Sequence, residues 1–206
     1  MKNIIIVALI GIFVYHFFFK TQETEDYSTA TLPAQTVVVA FGDSLTYGTG
    51  AEKVNSYPAH LERMIGTPVI NEGIPGETSE LGLERLPSIL EKYKPNLLLL
   101  CHGGNDILQK LNLEKTKENI ERMIDLAQAK GVTVVLIGVP QWSGLLVQTA
   151  DLYDQIAKDT GVAYEDEALA NIINDNTLKK DRVHPNRIGY RILAEKVRDT
   201  IFANYP

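Results

Sequence analysis

The chain has 206 residues, of which 45% are hydrophobic and 22% are charged. This length and balance are typical of a globular protein with one domain and a full core, and they exclude a disordered chain. The formal net charge is -6, with acidic and basic residues mixed along the chain, which argues against a nucleic-acid partner because such a partner usually requires a clustered basic surface. A single cysteine, Cys101, excludes an internal disulfide bond and a cysteine-based zinc site.

The N-terminal segment, MKNIIIVALIGIFVYHFFFK, begins with one lysine before an apolar run over residues 4–19. This is the pattern of a signal anchor or a signal peptide, and a buried core helix is the alternative. Bulky Phe17, Phe18 and Phe19 stand where a cleavage region would carry small residues, which favours a retained anchor. We therefore predict a hydrophobic helix at 1–20 and a polar tether at 21–35. The rest of the chain is expected to be exported, facing the periplasm or cell exterior from an inner-membrane anchor, or secreted if the segment is cleaved.

Five short apolar runs follow the tether, at intervals that leave room for helices. Continuous apolar runs are typical of strands that are covered on both faces. They predict strands at 36–41, 68–73, 97–104, 132–138 and 162–167.

The segments between these runs carry apolar residues three and four positions apart, as Ile120, Met123, Ile124 and Ala127 do. They predict helices at 56–65, 79–93, 116–130, 145–160 and 189–205. An alternation of strand and helix indicates a parallel sheet with helices on both faces, in one domain over residues 36–206.

Polar residues follow three of the predicted strands, at the edge of the sheet where ligands bind in such folds. FGDSLTYGTG brings Ser44 to this edge, GIPGETS brings Gly76, and GGND brings Asn105. A fourth block, DRVHPN, stands just before the last helix and carries Asp181 and His184. If that helix packs against the sheet, the fourth block can reach the same edge.

These residue types suit nucleophilic catalysis. A serine hydroxyl needs a base, and histidine is the usual one, so His184 is the candidate base for Ser44. Asp181 stands three residues before His184 and can orient its imidazole. The N–H groups of Ser44 and Gly76 and the side-chain amide of Asn105 are suitable donors to a tetrahedral oxyanion.

Other interpretations of the same residues remain open. Ser44 could cap a helix, and Gly76 and Asn105 could each be a turn residue. The first block could cradle a phosphate, although it lacks the lysine of the GxxxxGK[ST] motif. Asp43 and Asp106 are interpreted as structural carboxylates that bind neighbouring loops, and not as acid–base catalysts.

Together the four blocks resemble the ordered signature of the SGNH (GDSL) hydrolase family, and within it the bacterial arylesterase, thioesterase I and lysophospholipase group. The resemblance implies a flavodoxin-like three-layer α/β/α fold with a five-stranded parallel sheet. It implies a triad of Ser44, His184 and Asp181, an oxyanion hole of Ser44, Gly76 and Asn105, and no metal or organic cofactor. The implied reaction is hydrolysis of carboxylic esters or thioesters, such as acyl esters, aryl esters or lysophospholipids, through an acyl-serine intermediate.

The segment after the fourth strand, GVPQWSGLLVQTADLYDQ, is rich in apolar residues. One interpretation is that these residues begin the next helix and cover the core. The other is that they line a groove for an acyl chain, as the resemblance implies. The candidate substrate-binding residues are Val139, Pro140, Trp142, Leu145 and Leu146.

Three other functions are the alternatives to this reaction. An O-acetyl esterase of envelope carbohydrate would use the same triad on a shorter acyl group, and an acyltransferase would pass the same acyl group to an alcohol. A catalytically inactive binding module would require loss of Ser44, His184 or Asp181, and all three are present. The expected partners are a small-molecule or lipid ester and, through the N-terminal segment, a membrane.

Overall fold

The computed structural model describes residues 31–143 and 146–205. The strands are β1 Val38–Gly42, β2 Val69–Gly73, β3 Leu97–Cys101, β4 Thr133–Ile137, β5 Pro140–Ser143, β6 Leu146–Thr149 and β7 Ala163–Glu165. A five-stranded parallel sheet lies at the centre, in the order β2-β1-β3-β4-β7, and β5 and β6 form a small antiparallel hairpin beside it. The predicted five-stranded parallel sheet is therefore confirmed.

Helices cover both faces of the sheet. They are α1 Ser44–Tyr47, α2 Tyr57–Ile65, α3 Ser79–Tyr93, α4 Gly104–Leu108, α5 Leu113–Gln128, α6 Asp151–Thr160, α7 Ala168–Asn174 and α8 Arg187–Asn204, with a 3-10 turn at Lys53–Asn55. On one face α2 packs against α8, and on the other α3, α5 and α6 pack side by side. This is the three-layer α/β/α arrangement expected from the sequence.

The two central strands explain why their sequences are apolar without interruption. All five residues of β1 and all five of β3 are buried. Because each strand has a neighbour on both sides and helices on both faces, neither surface of it meets water. A buried Leu or Val side chain contributes about 1.5–3 kcal/mol to folding. These two strands therefore hold the carboxyl end of the sheet in place.

The structure differs from the sequence prediction just after β4. The helix predicted at 145–160 begins only at Asp151, and residues 146–149 form strand β6 of the hairpin. Leu146 and Gln148 are exposed whereas Val147 is buried, which is the alternation of a strand. The side-chain amide of Asn174 in α7 pairs with the backbone N–H and C=O of Val147, at 3.1 and 2.7 Å. This distant partner stabilises the extended backbone.

The predicted hydrophobic helix at 1–20 lies outside the described residues, as does the tether up to residue 30. In the part that the structure describes, Leu32 is buried and joins the core. None of the helices within 31–143 and 146–205 has the length and apolar character that a membrane span requires.

Candidate active site

Ser44 lies directly beyond the carboxyl end of β1, as its place in the sequence predicted. It is the first residue of α1, and Asp43 before it is the N-cap, whose Oδ1 accepts the N–H of Leu45 at 2.9 Å. The helix ends at Tyr47, and its C-cap is Gly48, whose φ of 98° suits glycine. Asp43, and not Ser44, is therefore the residue that caps this helix, and the Ser44 hydroxyl contributes to a cleft at the edge of the sheet.

The loop before α8 brings His184 to the same cleft. Nε2 of His184 lies 3.0 Å from Oγ of Ser44, and Nδ1 lies 2.8 Å from Oδ2 and 3.1 Å from Oδ1 of Asp181. When the serine hydroxyl donates to Nε2, the imidazole proton is on Nδ1 and points at the carboxylate. The three residues thus form a continuous chain of hydrogen bonds that can move a proton away from Ser44.

Asp181 is held in place by its own turn. Its Oδ1 accepts the backbone N–H groups of Val183 and His184, at 2.9 and 3.0 Å. Partial burial acts to raise the pKa of Asp181, but these two N–H groups and the His184 side chain prevail and lower that pKa below its ordinary value. The carboxylate therefore stays ionised at neutral pH, the form that holds an imidazole N–H.

Two contacts fix the histidine loop against the serine loop. Tyr190 of α8 donates its hydroxyl to the carbonyl oxygen of Thr49 at 2.7 Å. Gly50 has a φ of 101°, and a Cβ there would collide with the Pro185 carbonyl oxygen. A glycine is thus required at position 50 both by its backbone conformation and by the close approach of the two loops. Sequence reasoning had not assigned a role to Gly50.

Asn105 lies at the start of α4 and lines the cleft. Its Nδ2 donates to the backbone carbonyl oxygen of Glu77 at 2.9 Å and to Oδ2 of Asp43 at 3.2 Å. Gly76 precedes Glu77 and has a φ of 85°. The N–H of Gly76 has no acceptor among the residues that the structure describes, but Gly76 is not one of the residues that line the cleft.

The two other aspartates of the blocks have structural partners, as expected. The buried carboxylate of Asp106 accepts the N–H and the hydroxyl of Ser79, at 2.8 and 2.6 Å, and the hydroxyl of Thr116 at 3.2 Å. Asp43 bonds Leu45 and Asn105, and burial raises its pKa. Both carboxylates bind neighbouring loops, and Asp43 also lines the cleft and interacts electrostatically with His184.

The remainder of the cleft is mostly apolar. Of the candidate substrate-binding residues, Val139, Pro140 and Trp142 line it. Leu146 is 69% exposed and is not part of its lining, while Leu145 lies outside the described residues. Other apolar side chains in the lining, which the sequence had not singled out, are Leu45, Leu108, Ile173 and Val183. They come from four separate segments, so no local motif could have marked them as a group.

Comparison with known proteins identifies the family of this arrangement. The model of the GDSL-like Lipase/Acylhydrolase family matches residues 40–192, which include all four sequence blocks. Esterase TesA of Pseudomonas aeruginosa is 28% identical over 84% of this chain and 90% of its own length. Thioesterase 1/protease 1/lysophospholipase L1 of Escherichia coli is 27% identical over 79% and 81%, and an arylesterase of Vibrio mimicus is 30% identical over 82% and 90%.

The fold has solved counterparts as well. The crystal structure of the psychrotrophic esterase EstA from Pseudoalteromonas sp. superimposes with a TM-score of 0.72 over 82% of this chain and 97% of that one, at 23% identity. This similarity concerns the fold alone. Because the family match spans residues 40–192 and the named relatives are esterases and thioesterases, the chain belongs to the GDSL-like lipase/acylhydrolase family and is a carboxylic ester hydrolase.

Proposed function

We propose that Ser44 is the nucleophile of a serine esterase, that His184 is its general base, and that Asp181 orients His184. The observation that carries this proposal is the 3.0 Å separation of Ser44 Oγ and His184 Nε2, with Asp181 on the far side of the ring. The substrates would be carboxylic esters or thioesters such as acyl esters, aryl esters or lysophospholipids. The names of the relatives support this range.

The geometry allows each proton transfer of the reaction to be assigned to an atom. As Oγ of Ser44 attacks the carbonyl carbon, Nε2 of His184 takes the hydroxyl proton, and Asp181 stabilises the imidazolium. When the tetrahedral intermediate collapses, Nε2 gives that proton to the departing alcohol or thiol, which leaves an acyl group on Ser44. Water then attacks the acyl carbon as Nε2 takes one of its protons. Nε2 returns that proton to Oγ of Ser44 as the carboxylic acid leaves.

The oxyanion of the intermediate needs donors that are already in place. We assign them to the N–H groups of Ser44 and Gly76 and the Nδ2 of Asn105. In the resting structure Nδ2 makes a shorter bond to the Glu77 carbonyl oxygen and a longer one to Asp43. The longer contact is the one that an oxyanion would share or replace, because hydrogen bonds in catalytic sites often tighten only when the substrate is bound.

The acyl side of the substrate would lie against the apolar wall of the cleft. Val139, Pro140 and Trp142 come from one segment, and the Arg182 guanidinium lies 5.8 Å from the centre of the Trp142 ring. An apolar wall beside a few polar groups is usual for small-molecule sites. It supports a substrate with an acyl chain of several carbons over one with an acetyl group only.

A fluorophosphonate probe tests the nucleophile, because it phosphonylates an activated serine. The full-length chain should gain one probe mass on the peptide that contains Ser44, and folded Ser44→Ala should gain none. Ser88→Ala, which removes an exposed hydroxyl on α3, should label as the unmodified chain does. Labelling of folded Ser44→Ala at another serine would overturn the proposal.

Hydrolysis can be separated from acyl transfer with a labelled acyl donor. The chain should release labelled carboxylic acid at a rate that added alcohols change little. An acyltransferase would instead move most of the label to the alcohol.

We further propose that the domain is exported, anchored in the inner membrane or released after cleavage. The apolar run at 4–19 supports this; one lysine stands on each flank, Lys2 and Lys20, and acidic Glu23, Glu25 and Asp26 follow the second. A phosphatase reporter that is active only after export, fused behind residue 35, should be active. A cytoplasmic signal from that fusion would overturn the assignment.

A further inference from the structure

A buried ion network lies behind the loop that carries Gly76. Its centre is Glu77, whose side chain is 5% exposed. Arg85 of α3 binds this carboxylate with two parallel hydrogen bonds, Nε to Oε1 at 2.8 Å and Nη2 to Oε2 at 2.6 Å. Nε2 of His102 lies 3.1 Å from Oε2. Two-pronged binding by an arginine fixes the orientation of a carboxylate as well as its position.

The hydrogen bonds define the state of His102. Its ring is fully buried, and the backbone N–H of Gly103 donates to its Nδ1 at 3.2 Å. Nδ1 is therefore an acceptor, so the ring proton is on Nε2 and is donated to Glu77. His102 thus connects the end of β3 to the carboxylate of a different loop.

The surrounding residues are arranged to hold this pair. A Cβ on Gly82 in α3 would collide with the His102 ring, so this helix has a glycine where the ring must fit, although glycine is a poor helix former. The Arg85 guanidinium lies 4.1 Å from the centre of the Phe41 ring. Burial alone would raise the pKa of Glu77, but hydrogen bonds from His102 and Arg85 prevail and lower that pKa to about 2.

The network meets the candidate oxyanion hole at two points. Glu77 directly follows Gly76, and its backbone carbonyl oxygen accepts the amide of Asn105 at 2.9 Å. His102 stands three residues before Asn105, on the loop between β3 and α4. The side chain and the backbone of Glu77 therefore join the same two loops. The Asp106 carboxylate also links these regions, but it does so through other residues, Ser79 and Thr116.

We propose that Glu77 and His102 are positioning residues, which hold the Gly76 loop and the Asn105 loop at the separation that the oxyanion requires. The inference rests on the proposed function of Gly76 and Asn105. Neither side chain touches the substrate. They act through the two loops, so they affect the stability of the transition state more than the binding of the substrate.

Glu77→Gln is the first variant for the full-length chain. The glutamine has the same shape, but its NH2 group turns a donor toward Arg85 or His102, which are donors themselves. The kcat for a p-nitrophenyl ester should fall by about 10- to 100-fold, because a small displacement in a preorganised site is costly. The KM should change by less than about twofold, since binding of the ester ground state does not depend on the oxyanion donors.

Substitutions of His102 give an independent measurement. His102→Gln can place an N–H near the original Nε2 and should retain most of the activity, whereas His102→Leu loses the donor and should lower kcat as Glu77→Gln does. The control is His60→Leu, because His60 is also a buried histidine but its Nδ1 pairs with Arg63 in α2. His60→Leu should leave kcat unchanged. Equal losses for His102→Gln and His102→Leu would overturn the role of this N–H.

A double-mutant cycle separates this inference from the proposed function. If Asn105→Ala does not lower kcat, the proposed oxyanion hole itself is wrong. If Asn105→Ala lowers kcat and folded Glu77→Gln does not, only the positioning role is wrong. If Glu77 acts mainly through Asn105, Glu77→Gln should lower kcat much less in the Asn105→Ala background than in the unmodified chain. Full additivity of the two losses would overturn the positioning of Asn105 by Glu77. Thermal unfolding of each variant identifies any that fail to fold.

Discussion

Oγ of Ser44 and Nε2 of His184 lie 3.0 Å apart although 140 positions separate the two residues in the chain. Ser44→Ala and His184→Ala should each lower turnover of a short p-nitrophenyl ester by about a hundredfold or more, because one removes the proposed nucleophile and the other its proposed base. Circular dichroism of both variants should match that of the unmodified chain. Full activity in folded Ser44→Ala would contradict the mechanism.

The same pair predicts how the rate depends on pH. A protonated imidazole cannot accept the serine proton, so a histidine base requires the activity of the unmodified chain to fall as the buffer becomes more acidic. The measurement is kcat/KM for one ester over a series of buffers. A flat profile between about pH 5 and 8 would argue against a histidine base.

Asp181→Asn tests the carboxylate behind the histidine. The amide has a similar shape, but it presents a donor or a weaker acceptor to Nδ1, so His184 loses its orientation and its electrostatic support. Turnover should fall by about a hundredfold or more. The matched control is Asp175→Asn, because Asp175 is an exposed aspartate that bonds Thr177 in a nearby turn. Unchanged turnover in Asp181→Asn would show that Asp181 is dispensable.

The apolar wall of the cleft predicts a preference for longer acyl chains. Each buried methylene contributes up to about 0.8 kcal/mol, so kcat/KM should rise up to about fourfold per carbon over the first several carbons. Trp142→Ala should flatten this rise while leaving acetate-ester cleavage largely intact. Leu146→Ala is the control, because Leu146 is exposed outside the cleft lining.

The acyl series also distinguishes the alternative substrate class. A preference of the unmodified chain for acetyl over octanoyl esters would contradict an acyl groove and favour an O-acetyl esterase of carbohydrate. The same series on Trp142→Ala and Leu146→Ala then shows whether the tryptophan has any part in that selectivity.

Glu165 at the end of β7 predicts how stability depends on pH. Burial raises the pKa of this carboxyl to about 7 from an ordinary value of 4.5. Between these two values the unfolded chain has released a proton that the folded chain retains, so the free energy of unfolding falls as pH rises through this window. The loss from this one group is on the order of 3 kcal/mol.

Glu165→Gln should abolish this decrease in the free energy of unfolding with rising pH. The glutamine oxygen can still accept the N–H of Ala168, which the carboxylate accepts at 3.1–3.2 Å. Urea unfolding should show the variant more stable than the unmodified chain at pH 8 and nearly equal to it at pH 4. The control is Glu84→Gln, since Glu84 is exposed on α3. An identical pH dependence for Glu165→Gln and the unmodified chain would refute the prediction.

The local sequence was sufficient to predict the parallel sheet and the four sequence blocks that carry the candidate site residues. The apolar runs of β1 and β3 are unbroken because both faces are covered, and such runs are visible without any knowledge of the neighbours. The blocks that carry Ser44, Asn105 and His184 each stand at a strand end or before a helix. At such places a few neighbouring residues determine the conformation of the turn. The proposed triad could therefore be named from the order and type of four short blocks.

The tertiary structure decided what depends on distant partners. The β5–β6 hairpin could not be predicted, because residues 146–149 suit either a helix or a strand and the extended form is held by Asn174. The link between Glu77 and His102 joins positions 25 apart, and neither residue stands out in the sequence. A local pattern can specify burial and turn conformation, because these depend on a few neighbouring residues. Which side chains meet across the sheet depends on how the helices pack, because that packing sets the distance between segments remote in the chain.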